Sequence, residues 1–127
     1  MIFNFTPHAI NVYNEDDVIF RSDLRKYIIK ENVTPSRIFA PSGVLLNAKM
    51  ESQNVGEYEG IPIVKSAAIS VDPAPENGWV IVSRMYAAAA VSSGDSVVGR
   101  MLVVDRPVYK IQENNISPVG CLGFEVI

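Results

Sequence analysis

The stretch Trp79-Val80-Ile81-Val82-Ser83-Arg84-Met85-Tyr86-Ala87-Ala88-Ala89-Ala90 constrains the fold most, because an apolar run too short to span a membrane passes straight into an alanine-rich segment. Val80, Ile81 and Val82 are β-branched and favour a strand. Ser83 offers its hydroxyl oxygen to the first free helical amides as an N-cap, and four alanines carry no propensity penalty. Ser92-Ser93-Gly94 then closes the helix. A buried strand entering one principal packing helix is therefore expected.

Extended segments dominate the rest. Ile2 to Phe5 and Ile10 to Tyr13 form an extended pattern interrupted at Pro7, as a strand with a kink or bulge would. A turn at Asn14-Glu15-Asp16-Asp17 leads into Val18-Ile19-Phe20, which is expected to complete a first hairpin. Leu24, Tyr27 and Ile28 stand at helical spacing with Ser22 or Asp23 as a cap, which predicts a short helix over Ser22 to Glu31. Val44-Leu45-Leu46 is expected as a strand between loop signals. Gly56 and Gly60 flank a polar turn, predicting a hairpin that runs into Ile61-Pro62-Ile63-Val64-Lys65 from an edge. Asp72 to Gly78 is a polar loop, with Asn77-Gly78 offering positive φ before Trp79. Val97 to Val104, Val108 to Ile111 and Val119 to Val126 supply the last strands, with a turn at Asn114-Asn115. The expected class is α+β and mostly β. About eight to ten short strands form an antiparallel sheet or small barrel-like core, with one principal alanine-rich helix and a short inserted helix.

At 127 residues and 48% hydrophobic content, one domain over residues 1–127 with a sizeable core is expected. A net charge of −3 disfavours binding of long nucleic acid through a basic surface, yet a small phosphate ligand needs only a few cations. Cys121 is the one cysteine, which excludes a disulfide framework and a cysteine metal cluster within one chain. Metal sites built on His8, or on Asp16 and Asp17 alone, lack ligand spacing, so neither metal nor cofactor is expected. Met1 to Phe5 has neither a basic region nor a long apolar segment, so the expected setting is the cytoplasm, away from membranes.

His8 is the sole histidine, and any Ser-His-Asp or Cys-His mechanism would need it. Beside Pro7 and Thr6 it either fixes an irregular backbone or contacts a ligand, and the first reading is favoured because buried polar groups bond within the protein. Five cations are candidates to face a common site: Lys65, Arg84, Arg100, Arg106 and Lys110. Arg84 opposes the helix macrodipole, a conflict that a nearby anion relieves and open exposure makes trivial. Tyr86 either belongs to the core or stacks on a planar ligand. Ala87 to Ala90 either packs on the sheet or meets a second copy across a two-fold axis. Gly120 and Gly123 suggest close approach between strands.

Asn4-Phe5-Thr6-Pro7-His8-Ala9-Ile10 resembles the N-x-T-P-H-x-I opening of a family of small phage and prophage proteins. Further blocks follow in the family's order: Pro41-Ser42-Gly43, Val55-Gly56-Glu57 with Gly60-Ile61-Pro62-Ile63-Val64, Ile81-Val82-Ser83 leading to Ala87-Ala88-Ala89, and Val119-Gly120-Cys121-Leu122-Gly123-Phe124. Lys65 stands where arginine is common, Tyr109-Lys110 where valine-arginine-aspartate is expected, and Asn14 to Ala40 is longer than usual. This family is similar to the phage sponge proteins that counter Thoeris defence by sequestering a cyclic ADP-ribose signal, some of which also hold cyclic oligonucleotides of the CBASS system.

The resemblance implies a phage anti-defence protein of the host cytoplasm that does no chemistry and binds a small nucleotide-like signal as a homo-oligomer, dimer or hexamer. The implied contacts are phosphate pairing by Lys65, Arg84, Arg106 and Lys110, packing by Tyr86 and ribose hydrogen bonding by Asp95, with Thr6 and His8 shaping the wall. The alternatives are an enzyme degrading such a signal with His8 as acid or base, and a protein-binding inhibitor or phage accessory protein.

Overall fold

Strand, helix and strand over residues 79–112 form the parallel unit on which the rest is laid. The computed structural model describes residues 1–127, and in it Val80 and Ile81 of strand β8 (Trp79–Ile81) pair in parallel with Met101 and Leu102 of β9 (Met101–Gln112). Parallel neighbours need a crossover, and helix α1 (Arg84–Ser93) supplies it. Ser83 caps the helix by accepting a hydrogen bond from the Tyr86 amide at 3.1 Å, and Gly94 ends it in the left-handed region at φ 68°. Tyr86, Ala87, Ala89 and Ala90 are buried, while Ala88 is exposed. The alanine run therefore serves both faces: three small side chains let the helix lie close on the sheet, and one faces outward. Phe5, Leu46, Val80, Val82, Val97, Met101 and Val103 complete this core.

Around that unit the sheet runs in the order β1 (Ile2–Asn4), β8, β9, β10 (Asn115–Val126), β2 (Ile10–Val12), β5 (Arg37–Phe39). Just beyond β5, Pro41 bridges back to Asn4 of β1, so the sheet is nearly closed into a barrel. The sheet is mixed and not antiparallel, since β1 with β8, β8 with β9, β10 with β2 and β4 with β9 are parallel pairs. Together with a separate hairpin of β6 (Ala48–Tyr58) and β7 (Ile61–Val71), the architecture is the mostly β, barrel-like one expected, with one α-helix.

Three local expectations are corrected. The segment Ser22 to Glu31 is no helix: β3 (Val18–Arg21) turns through Arg25 at φ 53° into β4 (Lys26–Ile29). As a strand, β4 pairs on both sides, with β3 and in parallel with β9, whereas a short helix would gain only its own bonds. Phe20 and Tyr27 meet edge to face at 5.0 Å, and Arg21 bonds Asp23 within the turn at 2.6 Å, so aromatic pairing overrides the helical spacing. The expected first hairpin is absent too, because β2 lies between β10 and β5 and a 3-10 turn at Glu15–Asp17 sends β3 to β4. Val44 to Leu46 is irregular chain, with Leu46 buried and its amide donating to the Phe5 carbonyl at 3.3 Å.

The two suspected close-approach glycines divide. A Cβ on Gly120 would lie 2.4 Å from the Asn11 carbonyl oxygen and 2.6 Å from the Tyr13 ring, whereas one on Gly123 would meet nothing nearer than Arg106 Nη2 at 3.8 Å. Gly120→Ala is therefore expected to lower unfolding stability by about 2 kcal/mol, the scale of overpacking a tight site. Gly123→Ala should stay within about 0.5 kcal/mol, both read from urea midpoints at constant slope.

Candidate functional site

The Asn4 to His8 segment acts as a clasp. The Asn4 side chain is 3% exposed, and its amide nitrogen donates to the His8 carbonyl at 2.8 Å and the Phe39 carbonyl at 3.0 Å. Its oxygen accepts from the Thr6 amide at 2.9 Å and the Thr6 hydroxyl at 2.6 Å. The Ser42 amide donates to the Asn4 carbonyl at 2.8 Å. A buried amide with every group bonded fixes one arrangement, because leaving any of these groups bare in the interior is costly. Thr6 is thus committed to the backbone turn. His8 contributes its carbonyl, and its ring stands exposed on the surface.

The remaining residues singled out from the sequence are dispersed. Tyr86 is 1% exposed and its hydroxyl donates to the Asp72 carbonyl at 2.6 Å, so it is a core residue and its ring is closed to a stacking ligand. Burial, and then the charges of Asp95 and Asp72, push its phenol up, so it remains a neutral donor. Arg84 is exposed at the helix start, donates to the Val104 carbonyl at 2.9 Å and lies 3.6 Å from Glu125. Arg106 is held by Glu15 at 2.6 Å and Asp105 at 3.1 Å, Glu15 first and Asp105 second stabilising its charge. Arg100 braces the loop before Trp79 by donating to the carbonyls of Gly78 and Pro75, each at 2.8 Å. Asp95 accepts from the Val97 amide at 2.9 Å in the turn after the helix. Lys65 lies midway along β7 opposite Gln53, exposed.

Thr6, Asp95, Arg106 and Lys110 line four different depressions, and His8, Lys65, Arg84 and Tyr86 line none of those four. The one holding Lys110 has the chemistry of a small polar ligand site. Its volume is about 380 Å³, and Tyr13, Val119, Ile29 and Val33 share its wall with Lys30, Glu31, Asn32 and Lys110. Two ammonium groups against one carboxylate leave the rim cationic. Tyr13 is buried, and burial raises its phenol, so it too is a neutral group. Lys30 Nζ already donates to the Asp16 carbonyl at 2.7 Å, which leaves Lys110 the freer charge. Tyr13, Lys30 and Asn32 escape a sequence reading that places a helix over 22–31. Reading Lys26–Ile29 as a strand would have put Lys30 and Asn32 in the turn after it, where Asn32 adopts φ 58°, a conformation asparagine tolerates.

Burial raises the thiol of Cys121 in β10, as for an inert core group. No helix is long and apolar enough to cross a membrane. Comparison with known protein families, with curated proteins and with solved structures finds no match to this chain.

Asn4→Ala is expected to cost roughly 3 kcal/mol in urea unfolding, because it strands the Thr6 amide and takes one partner each from the His8 and Phe39 carbonyls. His8→Ala, which removes only an exposed ring, should stay within about 0.5 kcal/mol.

Proposed function

We propose that this chain is a phage anti-defence protein that sequesters a small cyclic nucleotide signal without transforming it, acting as a homo-oligomer in the host cytoplasm. The ligand class is a cyclic ADP-ribose isomer or a cyclic oligonucleotide. The observation that carries the reading is spatial. Blocks of the family resemblance that lie far apart in the chain meet in the fold: Asn4 with Pro41 and Ser42, and Asn4 and Phe5 with Ile81. Contact between blocks so far apart in the chain supports reading them as one signature.

Within one chain, the cavity beside Lys110 and Lys30 is the seat best suited to an anion. A pocket using Lys65, Arg84 and Arg106 as well would draw them from more than one copy. Phosphate would be paired by lysine as a point charge, giving weaker orientation than a bidentate arginine. His8 as acid or base in a signal-degrading enzyme is the competing chemistry, and nothing in the clasp orients its ring.

Isothermal titration with cyclic ADP-ribose isomers and with cyclic di- and trinucleotides tests this. One of them should bind, and Lys110→Ala should weaken it by a factor of about ten to a hundred, the worth of one charge-assisted contact. The ligand recovered after denaturing the protein should be intact. Absence of heat with every ligand contradicts binding, and recovery of fragments contradicts the sponge in favour of the enzyme.

A further inference from the structure

The β6–β7 hairpin leaves more surface open than one chain of this size sustains. A folded monomer of 13.9 kDa is expected to expose about 6,700 Å², whereas this chain exposes 8456 Å², an excess of about 1,800 Å². The excess has an evident source. Every residue from Glu51 to Ser66 is exposed, so the outer part of the hairpin, about 20 to 26 Å along its strands, stands free of the core as a two-stranded ribbon. An isolated two-stranded ribbon is marginal in water and needs another layer on one face.

The ribbon is also apolar where it is most open. Val55, Tyr58, Ile61, Ile63 and Val64 are between 44% and 69% exposed, and because side chains alternate, Tyr58, Ile61 and Ile63 share one face of the ribbon. Only its base packs, against α1. The outer side of α1 carries a second unpartnered stripe, Met85 at 63% and Val91 at 50% exposure with the small Ala88 between them. Charge completes the match. Glu57 and Glu59 flank Tyr58 at the ribbon tip, and Arg84 stands exposed at the end of the helix stripe, bonded to the Val104 carbonyl and 3.6 Å from Glu125.

We propose that the β6–β7 arm packs on the outer face of α1 of a second copy, and that the second copy returns the same contact across a two-fold axis. One chain holds both halves of the contact, so a symmetric exchange uses each once and closes without further growth. Sheet against helix is also the layering by which a mostly β fold buries an open ribbon. The excess surface of each chain is more than the roughly 1,000 Å² that marks a lasting interface. The proposal rests on the shape of the fold and holds whether or not the ligand reading does.

Sedimentation velocity at micromolar concentration decides it with three proteins: the native chain, the arm double variant Tyr58→Glu/Ile61→Glu, and the helix-face variant Val91→Glu. All the changed residues are exposed, and far-ultraviolet circular dichroism should show every variant folded. The native chain should sediment as a dimer or a multiple of it, and both variants as single chains. A monomeric native chain overturns the proposal. So does an arm variant that keeps the native mass, or a helix-face variant that does so while the arm variant dissociates.

Discussion

The Asn4 carboxamide is the buried polar side chain on which the sheet closes, and its position explains why an otherwise small core holds a ring of strands. Only one bridge, between Asn4 of β1 and Pro41 just beyond β5, joins the two edges of the sheet. Such a seam is weak in backbone bonds. The Asn4 side chain replaces the missing ladder with contacts to Thr6, His8 and Phe39, four bonds from one residue. Proline at position 7 suits this site because its neighbours' amide and carbonyl groups are satisfied by the clasp and not by a sheet.

This constraint changes what the N-x-T-P-H opening means physically. Its asparagine and threonine hold the backbone, and its histidine lends a carbonyl. A sequence search for chemistry naturally stops at a lone histidine, yet here the neighbouring asparagine does the structural work and the ring is left over. The same holds for Gly120 in the last block, where Asn11 and Tyr13 leave no room for a side chain. These residues of the N-x-T-P-H opening and of the last strand hold strands together. The binding role stays a proposal carried by the resemblance and by the cationic cavity.

What was legible in the sequence follows from how local each determinant is. The strand-to-helix passage at Val80 to Ala90, the Ser83 cap, the Gly94 stop and the hairpin turning at Glu59-Gly60 depend on neighbouring residues, and all are present in the fold. Lys26 to Ile29 was misread because its state is set by β9, some eighty residues away, which offers a parallel edge that no local pattern announces. β2 was assigned a false neighbour for the same reason, since its true ones are β10 and β5. The common cationic site failed on direction: Arg84, Arg100 and Arg106 each find a carbonyl or carboxylate nearby, and spacing along a strand does not tell where a long side chain ends. Tyr13 lies one residue past the end of β2, not in the strand expected over Ile10 to Tyr13, and its place in a cavity wall depends on turns that a helix over 22–31 would erase.

Peptide-resolved hydrogen exchange most directly tests a nearly closed ring whose open arm is proposed to be covered by a second copy. In the native protein, amides of Val80 to Val82 and Met101 to Val104 should be the slowest, the clasp amides of Thr6 and Ser42 should be protected, and those of 51–58 and 61–66 should be protected through association. In the arm double variant, protection should vanish from the arm alone. Free exchange along the arm of the native protein, or clasp amides that exchange as fast as the arm of the variant, would contradict it.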